Sequence, residues 1–257
     1  MGQSGFGTTD AYMRYLNFGT RYSPDLVIDS FLTGNDFLNN SKFLNRGAFG
    51  FYFVSDEHGN LVLDSSVVDA HERSLTASKR LFVWLKRHSY LANFLSERIY
   101  LLREQTREGS VQANSAAQGL SDFDVLNVYL PNASKSWQDA FETTKKVILK
   151  FRDAVEDSGA RFAVVTLSNA EQVHPDVQRK VREKYPSLNF DFGQPDQILD
   201  QFARDHGVIL HRLMPAFLAY HLKTGKYLHG FGGFPTGHWN ETGHRLAAEE
   251  ILAFLDG

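Results

Sequence analysis

Cysteine is absent from the 257 residues, which excludes a disulfide framework, a thiolate nucleophile and a Cys-ligated zinc site. An excess of basic charge is missing too. With a formal net charge of −3, the overall positive field that drives non-specific binding to polyanions is lacking, and nucleic acid is not expected among the partners. No uninterrupted apolar run approaches the length of a membrane-spanning helix. The first residues, Met1-Gly2-Gln3-Ser4-Gly5, hold neither a basic cluster nor an apolar stretch. The chain as given is therefore expected to carry no secretory signal and no membrane anchor, and its compartment stays open. Internal repeats and low-complexity tracts are also lacking.

What is present suits a folded α/β protein. Hydrophobic residues make up 42% and charged residues 22%, which is ordinary for a globular chain and far from the composition of disorder. The length favours one domain, residues 1–257, over two small ones. After a glycine-punctuated opening, Gly5-Phe6-Gly7-Thr8, the spacing of Tyr12, Tyr15 and Leu16 predicts a short amphipathic helix over 11–18. Leu26–Leu32 is a mostly apolar run of the length of a buried parallel strand, and it ends on Thr33-Gly34-Asn35-Asp36. Residues 49–54 and 61–63, separated by Glu57-His58-Gly59-Asn60, read as a hairpin. Helical periodicity follows over 77–104, broken near His88, and over 136–157, with a polar loop at 105–118 between them. The block from about 39 to 158 reads as a helical and hairpin insertion. Beyond it the order is strand 162–167, helix, strand 208–213, and a last helix over 240–255, the alternation of a parallel sheet with covering helices.

Three glycine-bearing loops fall where an α/β sheet places its ligands, at the carboxyl ends of strands: Ser4-Gly5-Phe6-Gly7, Gly34-Asn35-Asp36, and Gly237-His238-Trp239-Asn240. Gly-Asn-Asp alone is also a common turn. His238 and His244 are six residues apart and, on one helix, would face different sides, a poor arrangement for zinc. His244 and Trp239 are expected to be structural, and Asn240 to cap the last helix. Asp36 is expected to hold its own turn together.

Taken together the three loops resemble the SGNH hydrolases, the GDSL-like esterase and lipase family, from Gly2 to the end of the chain apart from the insertion. The resemblance implies a three-layer α/β/α sandwich around a central parallel sheet, of flavodoxin-like kind. It also implies hydrolysis of carboxylic esters, without a cofactor or metal. Gly5 then matches the glycine whose N–H helps form the oxyanion hole, Asn35 the asparagine that completes it, and His238 the general base. The chemistry needs such groups: acyl transfer builds negative charge on the carbonyl oxygen, which preorganised neutral donors stabilise, and imidazole can take and return a proton near neutral pH. The implied substrate is a small acyl ester or an O-acylated carbohydrate.

The sequence departs from the family at two places. No Gly-Asp-Ser, the family's nucleophile block, occurs in the chain, so the family's leading strands are expected to be missing from its amino-terminal side. Ser4, in Gly2-Gln3-Ser4-Gly5-Phe6, is similar to a nucleophile elbow, but Phe6 replaces its last glycine and no strand precedes it. The acid expected two or three residues before the base is replaced by Thr236 and Pro235. Without its flanking strands, Leu26–Leu32 would form an open edge, which predicts either a homo-oligomer through that edge or its cover by the 49–63 hairpin. Two other functions stay open: a catalytically silent domain that binds acylated glycans or serves as a structural module, and a nucleotide- or phosphate-binding α/β domain using the Gly5 turn.

Overall fold

The fold is taken from a computed structural model, which describes residues 5–96, 98–99, 120–232 and 234–256. Its elements are, in order, α1 (Thr8–Asn17), β1 (Leu26–Leu32), α2 (Asp36–Asn39), β2 (Tyr52–Ser55), β3 (Leu61–Asp64), α3 (Ser66–Ser74), α4 (Ala77–His88), α5 (Lys135–Glu156), β4 (Arg161–Leu167), α6 (Ala170–Val173), α7 (Pro175–Lys184), α8 (Gln194–His206), β5 (Leu210–Arg212), α9 (Met214–Thr224) and α10 (Glu241–Asp256). The fold is mixed α/β. The chain divides into two compact units, one of Met1–Ser65 with Leu120–Gly257 and one of Ser66–Gly119.

Within the larger unit β1, β4 and β5 form a parallel sheet with β4 in the middle. Leu26 lies opposite Arg161 and Leu32 opposite Leu167, so β1 and β4 end level with one another. In β4, Phe162 to Thr166 are buried without interruption, as expected of a strand covered on both faces. Alternate side chains point to opposite faces. Phe162 and Val164 join an apolar cluster with Trp137, Ile148, Phe151, Leu199 and Phe202, whereas Val165 joins another with Val173, Leu213, Phe217, Leu228 and Leu246.

The 39–158 block is not of one kind. Its last helix, α5, buries Trp137, Phe141, Val147, Ile148, Phe151 and Val155 in the first cluster. A strand followed by a parallel neighbour needs a crossover on one face of the sheet, and α5 supplies it between β1 and β4. That helix therefore belongs to the core and not to an insertion. The hairpin is formed by β2 and β3, with Tyr52 opposite Asp64. Asp56 organises its turn by accepting from the backbone N–H groups of His58 and Asn60 at 2.9 and 2.8 Å. This hairpin makes its own two-stranded sheet, so it does not cover β1 as one sequence expectation had it; among the described residues β4 is the neighbour of β1.

The smaller unit holds α3, α4 and a further helical stretch at 90–96. Thr76 caps α4 by accepting from Lys79 N–H, and Trp84 stacks on His88 one turn later, with ring centroids 4.7 Å apart. The sequence expectation of helix beyond residue 99 and of a polar loop at 105–118 lies outside the described residues.

Candidate functional site

A cleft of about 490 Å3 opens at the carboxyl ends of β1 and β4, and its walls include Asn35, Tyr129, Asn169, Glu171, His238 and His244. The first wall is built by the turn after β1. Asp36 is buried, and its Oδ2 accepts from the Leu32 N–H at 2.8 Å, closing the chain back onto the strand end. Burial holds its carboxyl well above the usual carboxylate range. The tight turn puts Asn35 at the cleft. Its side chain makes no hydrogen bond among the described residues, and its Oδ1 is buried without a partner. With no partner on its amide nitrogen either among the described residues, Asn35 can donate to a ligand in the cleft.

The turns after β1 and β4 are fastened together. A Cβ on Gly34 would stand 2.3 Å from Asn169 Nδ2, so only glycine admits Asn169 there. Asn169 Nδ2 donates to Thr33 Oγ1 at 3.3 Å. The Thr33 hydroxyl lies within donor reach of Gln172 Oε1 at 2.5 Å and of the Leu167 carbonyl at 3.0 Å. Gln172 Nε2 in turn donates to Asp196 Oδ2 at 2.7 Å, and Thr166 Oγ1 donates to Asp196 Oδ1 at 2.6 Å. Burial raises the Asp196 pKa, and those two donors oppose the shift. Thr33, Thr166, Gln172 and Asp196 are buried, and the network joins the end of β1 to β4 and α8 beneath the cleft, the kind of polar core that fixes one geometry when its members are satisfied.

Glu171 is partly buried in the wall, and burial raises its pKa. Tyr129 lies beside it. Burial first, and then the charge of Glu171, push the Tyr129 phenol well above its ordinary value, while a hydrogen bond from Asn169 acts in the other direction.

The opposite wall is the turn that precedes α10. Gly237 takes φ +75°, and His238 follows with its ring exposed. Beneath it the chain 228–230 runs antiparallel: Gly230 N–H donates to the His238 carbonyl at 2.8 Å, and Asn240 N–H to the Leu228 carbonyl at 3.0 Å. The approach is close enough that a Cβ on Gly243 would meet the Leu228 carbonyl oxygen at 2.4 Å. Asn240 caps α10, its Oδ1 accepting from Gly243 N–H at 3.1 Å. Trp239 is tied down by its indole N–H, which donates to the Ser168 carbonyl at 3.0 Å. The His238 ring itself makes no hydrogen bond among the described residues.

Asn35 and His238, far apart in sequence, thus line one cleft. Gly5 does not join them: it turns with φ +79° and lines a separate cleft with Asp10, Arg14 and Asn39. Ser4 lies outside the described residues. His244, expected to be structural, lines the same cleft as His238, because His238 precedes α10 and the facing rule for one helix does not reach it. Asn169 and Glu171 escaped the sequence reading. Ser168-Asn169 ends a strand just as Gly34-Asn35 does, and that parallel was the available signal; Glu171 had none. Among the described residues no group of three or more His, Cys, Asp or Glu side chains could hold a metal ion, and no helix is long and apolar enough to cross a membrane.

No family model matches the chain, and neither the curated proteins nor the solved structures contain a match to it.

Proposed function

We propose that the chain is an ester hydrolase of SGNH type, with the three-layer α/β/α arrangement of that family, acting on carboxylic esters such as short acyl esters or O-acylated carbohydrates. The observation that carries the reading is the meeting of Asn35 and His238 in one cleft at the strand ends. In this reading the Asn35 amide donates to the carbonyl oxygen as it gains negative charge. His238 takes the proton of the attacking hydroxyl as that oxygen bonds to the carbonyl carbon, and then returns it to the departing alkoxide. The pocket suits a small acyl group bearing a polar alcohol: Leu32, Val125, Leu126 and Leu167 supply apolar wall, and Asn169 and Glu171 supply polar contacts. Val125, Leu126 and Tyr129 come from the block between β1 and β4, which fits a role for that block in setting specificity.

One observation favours a second reading, in which the domain binds an acylated glycan without turning it over. The serine on the cleft wall is Ser168, and its hydroxyl is buried without a hydrogen-bond partner, a poor position for a nucleophile. Labelling with a serine-directed fluorophosphonate, followed by mass spectrometry, separates the two. A single adduct that is lost in His238→Ala supports the hydrolase and names its nucleophile, with Ser4 as the candidate from the sequence. No adduct, together with saturable binding of an acetylated oligosaccharide, supports the binding module.

A further inference from the structure

Behind the His238 turn two histidines are buried without a salt bridge among the described residues, and the chemistry proposed above does not use them. His229 Nε2 lies 3.1 Å from the Ser168 carbonyl, and His174 Nε2 lies 3.0 Å from His229 Nδ1. A carbonyl only accepts, so His229 carries a proton on Nε2; in its neutral form, which burial favours, it accepts at Nδ1 from His174. The two rings then form a directed chain of donors that ends on the Ser168 carbonyl. That same carbonyl oxygen receives the Trp239 indole N–H. His229 also pairs with Trp239 in an isolated antiparallel bridge, and its neighbour Gly230 holds the His238 carbonyl. Both residues that flank the candidate base from below thus converge on the first residue after β4.

We infer that His229, braced by His174, is the positioning residue for the His238 turn, fixing the Ser168 carbonyl on which Trp239 is anchored. The inference rests on the reading of His238 as the base and supplies what that reading lacks, since Thr236 and Pro235 stand where a carboxylate would orient the ring. His174 is fitted for a brace. It packs edge-on against His221, Tyr227 and His229, with ring centroids 4.6, 5.2 and 5.1 Å away. Tyr227 donates to Asp176 at 2.9 Å, and Asp176 pairs with Arg179. Phe217 closes the side toward His229. A ring held on so many sides has one orientation, and it passes that orientation to His229.

The test compares His229→Leu, which removes the donor, with His229→Gln, whose amide can replace the Nε2–H. In 15N-indole spectra the Trp239 cross-peak, assigned by its loss in Trp239→Phe, is expected to move or broaden in the leucine variant and to return near the parent position in the glutamine variant. The Trp84 and Trp137 peaks should stay in place in both. For ester hydrolysis the leucine variant is expected to lose kcat by up to about 100-fold with KM unchanged, the cost of a misplaced group, and the glutamine variant to recover most of it. A Trp239 peak that ignores His229→Leu would overturn the inference. So would collapse of all three peaks in both variants, which would make His229 a general support of the fold. If the parent hydrolyses no ester, the hydrolase reading fails while the indole spectra still decide the role of His229.

Discussion

At the scale of single residues the chain keeps several ionisable groups out of water, and they pull stability in opposite directions with pH. Asp29, buried in β1, has its pKa raised by burial to about 7, with a hydrogen bond from Thr8 acting against the shift. Its folded form holds a proton that the unfolded chain has released above the ordinary carboxylate range, so its contribution is present at low pH and is lost as pH rises toward 7. His174 and His229 act in the reverse sense. Burial lowers them to about 3 and about 4, His174 further so by the neighbouring histidines. Their contribution is complete above pH 6.5 and is lost as pH falls toward those values. Replacing Asp29 by Asn, which cannot ionise, is expected to stabilise the protein more at pH 8 than at pH 5, by a difference of more than about 1 kcal/mol. Urea melts at the two pH values measure this, and an equal effect at both would remove Asp29 as the titrating group. At the cleft, Asn35→Ala is expected to lower kcat for ester hydrolysis by about 10²- to 10³-fold, the usual loss on deleting one oxyanion donor, with stability in urea unchanged or raised, since a buried oxygen without a partner is removed.

At the scale of elements, β1, β4, α10 and the hairpin were legible because each carries a local signature: apolar runs of strand length, a turn with Gly59, and Asn240 as a cap. Helix α5 was legible as a helix but not in its place. Its apolar stripe, Trp137, Phe141, Ile148 and Phe151, announces a buried face without saying against what, and only the parallel pairing of β1 with β4 makes it their crossover. The 208–213 run holds the short strand β5, Leu210–Arg212, and its backbone hydrogen bonds to β4 extend from Ile209 to Leu213, where the entry to α9 begins. In the site, Gly5, Asn35 and His238 were all carried over from one resemblance between three loops; Asn35 and His238 line one cleft, whereas the Gly5 turn opens elsewhere. The crossing of 228–230 beneath the His238 turn had no sequence signal beyond its glycines. Gly243→Ala should cost about 2 kcal/mol or more, because the new methyl meets backbone that cannot yield. Gly232→Ala, where a Cβ meets nothing within 4 Å, should change stability by less than about 0.5 kcal/mol. Thermal melts of the pair test whether the close crossing is as tight as the geometry requires.

At the scale of the whole molecule, β1 is an edge strand of the sheet among the described residues. Leu26, Val27 and Ile28 are only partly buried, although apolar strands of a parallel sheet are normally covered. A cleft of about 600 Å3 runs along them, lined also by Phe6, Arg14, Tyr22 and Asp29. An uncovered apolar edge invites pairing between copies, so the protein is expected to self-associate with rising concentration. Ser30→Lys, at the exposed position of β1, should suppress that association by placing charge on the edge. Sedimentation velocity reads both, and a parent that stays monomeric over the whole concentration range would leave the edge without this role. The central claim concerns the cleft at the other end of the same strand, and steady-state hydrolysis of p-nitrophenyl acetate tests it most directly. Turnover by the parent that falls to background in a folded His238→Ala variant is the expected result; parent turnover no faster than background, or turnover that survives His238→Ala, would contradict it.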